Sequence, residues 1–292
     1  MTRVLVFGSS GFIGRHVKAA LAADPRVGEL ICPGRDRHDL IGGDRAALTA
    51  LLRAEAPDAV VCCVGALTGS DEDLVRANTL VAAKLLAAVA DAVPAARLVR
   101  LGSAGEYGVV RHGHAVTEDD PCQPVGAYGV SHLAGTRLFG LAGELDTVSV
   151  RVFNPIGAGQ PAENVLGRAA LRISEALAVR SSEITLGPLG AYRDFIDVQD
   201  VAALLRAVVV ASTVPSRIYN AGSGRAHTVR EAVGLLAERA GWSGTVVEAG
   251  SSPQRSAAVS WIQADITRAE TELGWVPAHD LATSIKNIWV AE

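Results

Sequence analysis

The stretch Val4-Leu5-Val6-Phe7-Gly8-Ser9-Ser10-Gly11-Phe12-Ile13-Gly14 runs from an apolar segment through three glycines into a segment of helical period. This order predicts a β-strand, a tight turn and a helix. Gly8 would permit the turn, Gly11 would let the backbone approach a pyrophosphate, and Gly14 would let the helix pack on the strand. Free amides and the helix dipole then favour bound phosphates, while a plain glycine-rich turn is the alternative. The residues expected at a dinucleotide are Gly8, Ser10, Gly11, Phe12, Ile13 and Gly14.

Beyond this unit, short Val/Ile/Leu-rich runs alternate with Ala- and Leu-rich segments of helical period. The alternation predicts a Rossmann-type α/β fold, a doubly wound parallel sheet with helices on both faces. The predicted strands span residues 3–7, 30–32, 59–64, 97–101 and 147–153. The predicted helices between them span residues 13–23, 46–54, 73–93 and 128–143.

The pattern changes after Asn154, where prolines and glycines precede a predicted helix at 166–179 and shorter mixed segments. An amphipathic helix at 281–290 closes the chain. We expect residues 1–153 to form a dinucleotide-binding domain and residues 154–292 to form mainly a smaller α/β substrate-binding region. A segment near 193–212 is expected to pack back on the first domain.

Charge and cysteine content argue against several other classes of protein. The 292 residues carry a net charge of −4 with both signs scattered, which disfavours a nucleic-acid or anionic membrane surface. The N-terminal apolar run is too short for a signal peptide, and no apolar stretch reaches the ~18–20 residues of a membrane helix. The cysteines at positions 32, 62, 63 and 122 show no disulfide or metal-site spacing, and His112 and His114 are interpreted as part of a solvated loop. We therefore expect a cytoplasmic protein with reduced thiols and no metal.

Two segments carry candidate catalytic groups. Ser103 follows the fourth predicted strand, and Tyr128 and His132 begin the next helix, one turn apart on the same face. With the glycine turn, this arrangement resembles the Ser…Tyr-x-x-x-Lys triad of the extended short-chain dehydrogenase/reductases, the NAD-dependent epimerase/dehydratase family, with histidine in place of lysine. The resemblance extends over the whole chain. It implies that Ser103 hydrogen-bonds a substrate oxygen and that Tyr128 transfers a proton to or from that oxygen.

The histidine is the main departure from the family pattern. The family's lysine binds the nicotinamide ribose and lowers the tyrosine pKa, whereas the imidazole of His132 is neutral for much of the time at pH 7 but can still donate to ribose hydroxyls. Three interpretations stay open: an enzyme in which His132 takes the lysine's role, an enzyme with altered chemistry, and a disabled catalyst. Reduction is favoured over alcohol oxidation, because a proton donor tolerates a high pKa at Tyr128.

The cofactor is expected to be NADP(H), with NAD(H) possible. Arg35 follows the second strand where an acidic residue would otherwise hold the adenosine ribose, and it could pair with a 2′-phosphate. The alternative is a solvated loop charge. The further cofactor contacts that the resemblance implies, at adenine, ribose and nicotinamide, are Asp39, Leu40, Gly65, Ala66, Tyr128, His132, Phe153 and Ile156.

The resemblance also implies a nucleotide-sugar substrate. Arg193 would meet its diphosphate, for which a planar fork of donors is suited, while a structural pair with Asp194 or Asp197 is the alternative. Asp197 and Asp200 are expected to cap the following helix. The substrate contacts implied by the family segments are Ser103, Asn154, Asn164, Arg193 and Arg255.

The pair Ala104-Gly105 narrows the implied reaction, because sugar 4,6-dehydratases of this family carry Asp-Glu there. The pattern is most similar to reductases of nucleotide-linked 4-keto-6-deoxyhexoses, which implies reduction of that keto group with NADPH. An NAD-dependent 4-epimerase and a catalytically impaired dinucleotide sensor are the alternatives. A homodimer through the helices at 73–93 and 128–143 is a family expectation.

Overall fold

Six parallel strands form the central sheet of the computed structural model, which describes residues 1–250 and 258–289. The strands are β1 (Thr2–Phe7), β2 (Val27–Ile31), β3 (Ala59–Cys62), β4 (Arg97–Ser103), β5 (Thr147–Val152) and β9 (Ile218–Ala221). Their order is β2-β1-β3-β4-β5-β9, and every neighbouring pair is parallel. The chain leaves β1 toward β2 and returns on its other side with β3, so a crevice opens at the carboxyl ends of β1 and β3.

Helices cover both faces of this sheet. The α-helices of the described residues, including those of the second core, are α1 (Phe12–Ala22), α2 (Arg45–Glu55), α3 (Asp71–Leu74), α4 (Val81–Ala92), α5 (Ala127–Gly140), α6 (Val165–Val179), α7 (Val198–Val210), α8 (Val229–Arg239), α9 (Thr267–Leu273) and α10 (Leu281–Trp289). In β1, Val4 and Val6 pack with α1 and α7, while Leu5 and Phe7 pack with α2 and α4. A strand buried on both faces explains its unbroken apolar sequence. The predicted Rossmann-type α/β fold is confirmed.

The second strand begins earlier than predicted. It starts at Val27 rather than at residue 30. The prediction missed the first residues because Gly28 and Glu29 are exposed at the edge of the sheet and are not apolar. The third strand ends at Cys62 rather than at residue 64, where the chain leaves the sheet. Strand ends are set by pairing with neighbours, which a single segment does not encode.

The prediction of one continuous α-helix at 73–93 is wrong in the middle of that segment. The helical segment begins at Asp71 after a capping box at Ser70, and a π-helical stretch, Val75–Leu80, separates α3 from α4. The wider turn carries Asn78, whose side chain bonds a loop and a neighbouring helix. No local propensity distinguishes this stretch from an ordinary helix, so the sequence predicted an uninterrupted one.

The C-terminal half builds a second core. Its strands are β6 (Asn154–Ile156), β7 (Glu183–Leu186), β8 (Tyr192–Asp197), β10 (Ala226–Thr228) and β11 (Thr245–Glu248). They form a three-stranded sheet, β10-β8-β6, and a parallel pair, β11-β7, around buried side chains of α6, α8 and α10. Helix α7 shares the first core with α1. The domain boundary at residue 153 stays a prediction.

No helix in the described part of the chain is both long enough and apolar enough to cross a membrane.

Candidate active site

The glycine turn after β1 has the geometry of a phosphate-binding turn. Gly8 has φ +74°, a conformation that L side chains rarely adopt, and a Cβ on Gly14 would lie 1.9 Å from the Gly8 carbonyl oxygen. These values confirm the turn and the helix packing predicted for the two glycines. Gly11 precedes α1, and no side chain caps that helix end. A dinucleotide pyrophosphate therefore fits the amides at the start of α1.

Lys84 forms hydrogen bonds with the backbone of the loop that is expected to border the adenine. Its Nζ on α4 donates to the carbonyl oxygens of Leu40 at 3.0 Å and Ile41 at 3.2 Å, and the side chain of Leu40 is buried. Asp39 accepts the Ile41 amide at 3.1 Å. Arg35 lies exposed in the preceding loop. The loop's shape is therefore set by a lysine that sequence reasoning did not single out.

Asn78 in the π-helical stretch links the loop after the third strand to α5, the helix that carries Tyr128. Its Oδ1 accepts the Ala66 amide at 2.9 Å, and its Nδ2 donates to the Ala66 carbonyl and to Ser131 Oγ, each at 3.0 Å. A Cβ on Gly65 would lie 3.0 Å from Asn78 Oδ1. The predicted cofactor loop at Gly65 and Ala66 is thus fixed relative to α5 by a residue that sequence reasoning missed.

Two side chains of α1 form hydrogen bonds with the loop after β6. Arg15 Nη2 donates to the Gly159 carbonyl oxygen at 2.5 Å, and His16 Nε2 lies 3.2 Å from the Ala158 carbonyl oxygen. A Cβ on Gly159, whose φ is +70°, would clash with the Arg15 guanidinium at 2.1 Å. This loop is the segment that the resemblance places over the nicotinamide, and it is tied to the glycine turn's own helix.

Ser103 and Tyr128 converge around Gly105. Ser103 ends β4 and begins a 3-10 turn, Ala104–Glu106, where its Oγ accepts the Gly105 amide at 3.1 Å. Tyr128 is the second residue of α5. A Cβ on Gly105 would lie 3.3 Å from Ser103 Oγ and 3.2 Å from Tyr128 Cε1. The two side chains therefore flank one point, and glycine leaves that point open.

His132 packs beside Tyr128 and faces inward. The centroids of the two rings are 4.7 Å apart, and the imidazole Nδ1 lies 3.5 Å from Arg100 Nη2. His132 is only 7% exposed. Burial and then the neighbouring Arg100 charge lower the pKa of His132 to about 3. The imidazole is therefore neutral at pH 7, as predicted, and it brings no positive charge to Tyr128.

A buried polar network lies beneath the two segments that carry Ser103 and Tyr128. Glu106 accepts hydrogen bonds from Arg151 Nε at 2.9 Å, from the Ser103 amide at 2.9 Å and from Thr136 Oγ1 at 3.0 Å. Arg100 donates to the same Thr136 hydroxyl at 2.9 Å. Sequence reasoning missed this network, although arginines inside two buried apolar strands were a signal, since a buried charge requires partners.

The residues after β5 fall into buried and partly exposed groups. Phe153 is 6% exposed and Ile156 is 1% exposed, so their side chains belong to the apolar cores, and their contact with a cofactor stays a prediction. Asn154 Nδ2 donates to the Asp194 carbonyl oxygen at 3.0 Å. Asn164 precedes α6, but its side chain makes no capping hydrogen bond there. The two amides therefore lie at the ends of adjacent elements, β6 and α6.

Arg193 lies half-buried on β8. Its Nη1 donates to the Tyr192 carbonyl oxygen at 2.8 Å, and burial lowers the pKa of its guanidinium to about 10. Asp194 accepts the amides of Ser223, at 2.6 Å, and of two further residues. Asp197 caps α7, which confirms its predicted role. Asp194 and Asp197 thus each accept backbone amides, and the choice between a diphosphate contact and a structural pair for Arg193 stays a prediction.

Two other predicted positions have different outcomes. Asp200 does not cap α7 but accepts hydrogen bonds from the amide and Nδ1 of His279, at 3.0 and 2.9 Å, which corrects the predicted role. A carboxylate inside the first turn can reach a distant loop, and this one does. Arg255 lies outside the described residues.

The two loop histidines each have a partner. His112 is exposed, but its ring packs on Trp261 with centroids 4.4 Å apart, and His114 Nε2 lies 3.0 Å from Asp120 Oδ1. Across residues 1–250 and 258–289, no group of three or more His, Cys, Asp or Glu side chains is placed to hold a metal ion.

Comparisons with known proteins agree with this geometry. A sequence profile described as the NAD dependent epimerase/dehydratase family matches residues 4–222. The dTDP-6-deoxy-L-talose 4-dehydrogenase (NAD(P)(+)) of Kitasatospora kifunensis is 36% identical, covering 99% of this chain and 95% of that protein. The GDP-6-deoxy-D-mannose reductase of Pseudomonas aeruginosa is 29% identical, covering 98% and 95%. The solved structure of RMD from Pseudomonas aeruginosa complexed with NADPH has a TM-score of 0.88 at 26% identity, covering 100% of this chain and 98% of that one.

Proposed function

This chain belongs to the NAD-dependent epimerase/dehydratase family of NAD(P)-binding enzymes, and from that membership we propose that it reduces the keto group of a nucleotide-linked 4-keto-6-deoxy sugar with NADPH. The observation that carries the proposal is the meeting of Ser103 Oγ and the Tyr128 ring around Gly105. A serine hydroxyl and a tyrosine ring on either side of one position support a carbonyl oxygen that Ser103 would polarise and Tyr128 would protonate. The two relatives named above act, by their names, as a 4-dehydrogenase and a reductase of 6-deoxy sugars.

The side chains divide the chemistry between them. Ser103 Oγ already accepts the Gly105 amide, which leaves its own hydrogen to donate to the substrate carbonyl. The cofactor, when bound, would supply the hydride for the carbonyl carbon. Tyr128 donates its phenolic proton to the oxygen as the alcohol forms. Reduction, unlike oxidation, uses Tyr128 in its neutral form, which suits a site where position 132 carries no charge.

Elimination of water is disfavoured at this site. The positions that follow Ser103 carry Ala104 and Gly105, neither of which has an acid or a base. A larger side chain at 105 would meet the Tyr128 ring, since even a Cβ would lie 3.2 Å from it. The proposal is therefore redox chemistry at one carbon, without dehydration.

The remaining predicted contacts complete the proposed substrate and cofactor sites. Asn154, Asn164 and Arg193 would contact the nucleotide sugar, with the guanidinium on its diphosphate. The amides at the glycine turn would hold the cofactor's pyrophosphate, and Arg35 would hold the 2′-phosphate that distinguishes NADPH from NADH. All four cysteines are present as thiols, which supports the proposed cytoplasmic location.

We also propose that two copies pair through the helical segments at 71–92 and α5. Exposed apolar side chains lie on both segments: Leu80 is 54% exposed and Val130 is 50% exposed. Such side chains on neighbouring helices suit a self-complementary interface.

The proposed reaction is tested by incubating the purified protein with NADPH and a panel of dTDP- and GDP-linked 4-keto-6-deoxyhexoses. We expect loss of reduced-nicotinamide absorbance with one sugar and a single C4 alcohol by NMR. Interconversion of 4-epimers on NAD retained through purification, without net NADPH use, would show a 4-epimerase. Cofactor binding without turnover, unchanged in Tyr128→Phe, would show a sensor.

A further inference from the structure

The positive charge that position 132 lacks has a candidate source in Arg100 of β4. Arg100 is 4% exposed and lies beneath α5, where Nη1 donates to Thr136 Oγ1 at 2.9 Å and to the His132 carbonyl oxygen at 3.3 Å. Its Nη2 approaches His132 Nδ1 at 3.5 Å. Arginine keeps its proton in proteins. A full positive charge is therefore buried against the helix that carries Tyr128 and His132.

The helix is shaped to admit this guanidinium. A Cβ on Gly135 of α5 would lie 2.8 Å from Arg100 Nη2 and 2.8 Å from the Asn78 carbonyl oxygen. The same Nη2 lies 3.4 Å from that carbonyl. Glycine at 135 thus leaves space for the guanidinium where α5 meets the π-helical stretch.

The charge of Arg100 is not matched by a carboxylate. Glu106, the buried acid nearest in the network, forms its ion pair with Arg151 at 2.9 Å. Among the residues that the structure describes, no carboxylate lies within ion-pairing distance of Arg100. Two guanidinium groups and one carboxylate leave one positive charge in excess beneath the catalytic helix.

The other titratable groups packed here are neutral. Burial raises the pKa of the Cys62 thiol on β3 to about 11, and His132 is uncharged at pH 7. Burial lowers the pKa of Arg100, while the negative charges of Glu106 and, more weakly, of an ionised Tyr128 act in the opposite direction. Attraction between Tyr128 and Arg100 is mutual.

From these contacts, and resting on the proposed function, we propose that the Arg100 guanidinium, rather than a cation at position 132, stabilises the Tyr128 phenolate. Arg100 acts through Tyr128 and touches neither substrate nor cofactor, so its role is electrostatic support. His132 then serves as a neutral spacer that contacts the phenol ring on one side and the guanidinium on the other. Stabilising the phenolate makes neutral Tyr128 a stronger proton donor in reduction and raises the fraction that is ionised to accept the proton in alcohol oxidation. Arg100 therefore assists both directions.

The experiment is an ultraviolet titration of tyrosinate, with Tyr128→Phe subtracted so that the difference reports Tyr128 alone. Arg100→Gln keeps hydrogen-bonding groups but removes the charge, and we expect it to raise the Tyr128 pKa by about one unit or more. Arg100→Lys, which keeps the charge, should change it by a few tenths at most. The double variant Arg100→Gln with His132→Lys should return the Tyr128 pKa toward the wild-type value.

A second variant makes the test independent of any change at Arg100. His132→Gln leaves the guanidinium in place, so the Tyr128 pKa should stay within a few tenths of the wild-type value. A rise of a unit or more in His132→Gln, or an unchanged titration in folded Arg100→Gln, would overturn the proposal. Should Arg100→Gln not fold, Arg100→Met is titrated instead, because it replaces the buried charge by an apolar side chain of similar length. It should raise the Tyr128 pKa in the same way, and an unchanged value would overturn the proposal.

The titration needs no substrate, so it separates this proposal from the proposed function. Absence of turnover on keto sugars, with a Tyr128 pKa that follows the charge at position 100, would contradict the proposed reductase function and support the electrostatic role of Arg100. Turnover with a pKa indifferent to Arg100 would do the reverse. For an active protein, the ascending limb of the pH profile for alcohol oxidation, where Tyr128 ionises to act as the base, should shift to higher pH in Arg100→Gln by the same amount as the titration.

Discussion

In the proposed reaction, proton transfer depends on Tyr128. Tyr128→Phe removes the proton donor while keeping the ring contact with His132, whose centroid is 4.7 Å away. We expect the turnover number for keto-sugar reduction to fall by about 10²–10⁴-fold, the usual effect of losing a general acid. Tyr219→Phe on β9 is the matched control, since its hydroxyl bonds Glu272 and lies in the fold's core. A similar loss in both variants would point to a folding defect.

In the proposed function, a single loop arginine, Arg35, distinguishes NADPH from NADH. Arg35→Ala should raise the KM for NADPH about tenfold or more and leave that for NADH nearly unchanged, because a charge-assisted hydrogen bond contributes about 1.5–3 kcal/mol. Arg37→Ala is the control, since the Arg37 guanidinium is already paired with Glu55. Steady-state kinetics with both cofactors measures the split. Equal effects on the KM values of the two cofactors would show that Arg35 does not contact the 2′-phosphate.

His132 makes stability depend on pH in a defined direction. Its folded pKa is about 3, below the unfolded value near 6.5, so the unfolded state binds more protons between these values. The stabilisation is complete above pH 6.5 and is lost as pH falls toward 3, by at most about 1.4 kcal/mol per pH unit. Urea unfolding at pH 7, 6 and 5 should show a flatter profile for His132→Gln than for the wild type. Parallel profiles would contradict the assignment.

The wild-type profile also contains an opposing group, which is why the variant comparison is needed. Burial raises the pKa of Asp194 to about 6, so the folded state binds more protons there and stability falls as pH rises through that range. This contribution is common to both proteins. The difference between their profiles therefore isolates His132.

At the scale of elements, the contact between β1 and α1 depends on Gly14. A Cβ there would lie 1.9 Å from the Gly8 carbonyl oxygen, so Gly14→Ala must push the helix off the strand. We expect a loss of about 1–3 kcal/mol in the free energy of unfolding and weaker cofactor binding. Gly234→Ala in α8, where nothing lies within 4 Å, should instead stabilise by about 0.4–1 kcal/mol. Denaturant unfolding and cofactor titration of both variants measure this; equal changes would contradict it.

Elements differed in how readily the sequence predicted them. Helix α6 was predicted to within one residue, because a 3.6-residue apolar period is a local signal. The π-helical stretch at Val75–Leu80 was missed, because its wider turn is stabilised by Asn78 bonding Ala66 and Ser131, which lie in other segments. Only a contact between elements distinguishes it from an ordinary helix.

At the scale of the whole molecule, pairing of two copies is the remaining prediction. Leu80→Glu or Val130→Glu places a charge among apolar side chains of the proposed interface, and each should convert a dimer to a monomer in size-exclusion chromatography with light scattering. Val179→Glu at the end of α6, a residue 75% exposed, is the control and should stay dimeric. A monomeric wild type would refute the interface.

By itself, the sequence determined the glycine turn, the alternation that builds the parallel sheet, and the order of Ser103, Tyr128 and His132 along the chain. These features depend on backbone conformation and on periodicity within one element. The departure at His132 could also be predicted, because it is read directly from the sequence, as could the tendency of an imidazole to be mostly neutral at pH 7.

Only the tertiary structure decided the electrostatics of the site. Arg100 reaches His132 across 32 positions of sequence, and Arg151 reaches Glu106 across 45. A buried charge acts according to which groups surround it and how far water is excluded, and both are properties of the packed strands and helix together. The cation beneath α5 therefore became visible only when β4 and α5 were placed against each other.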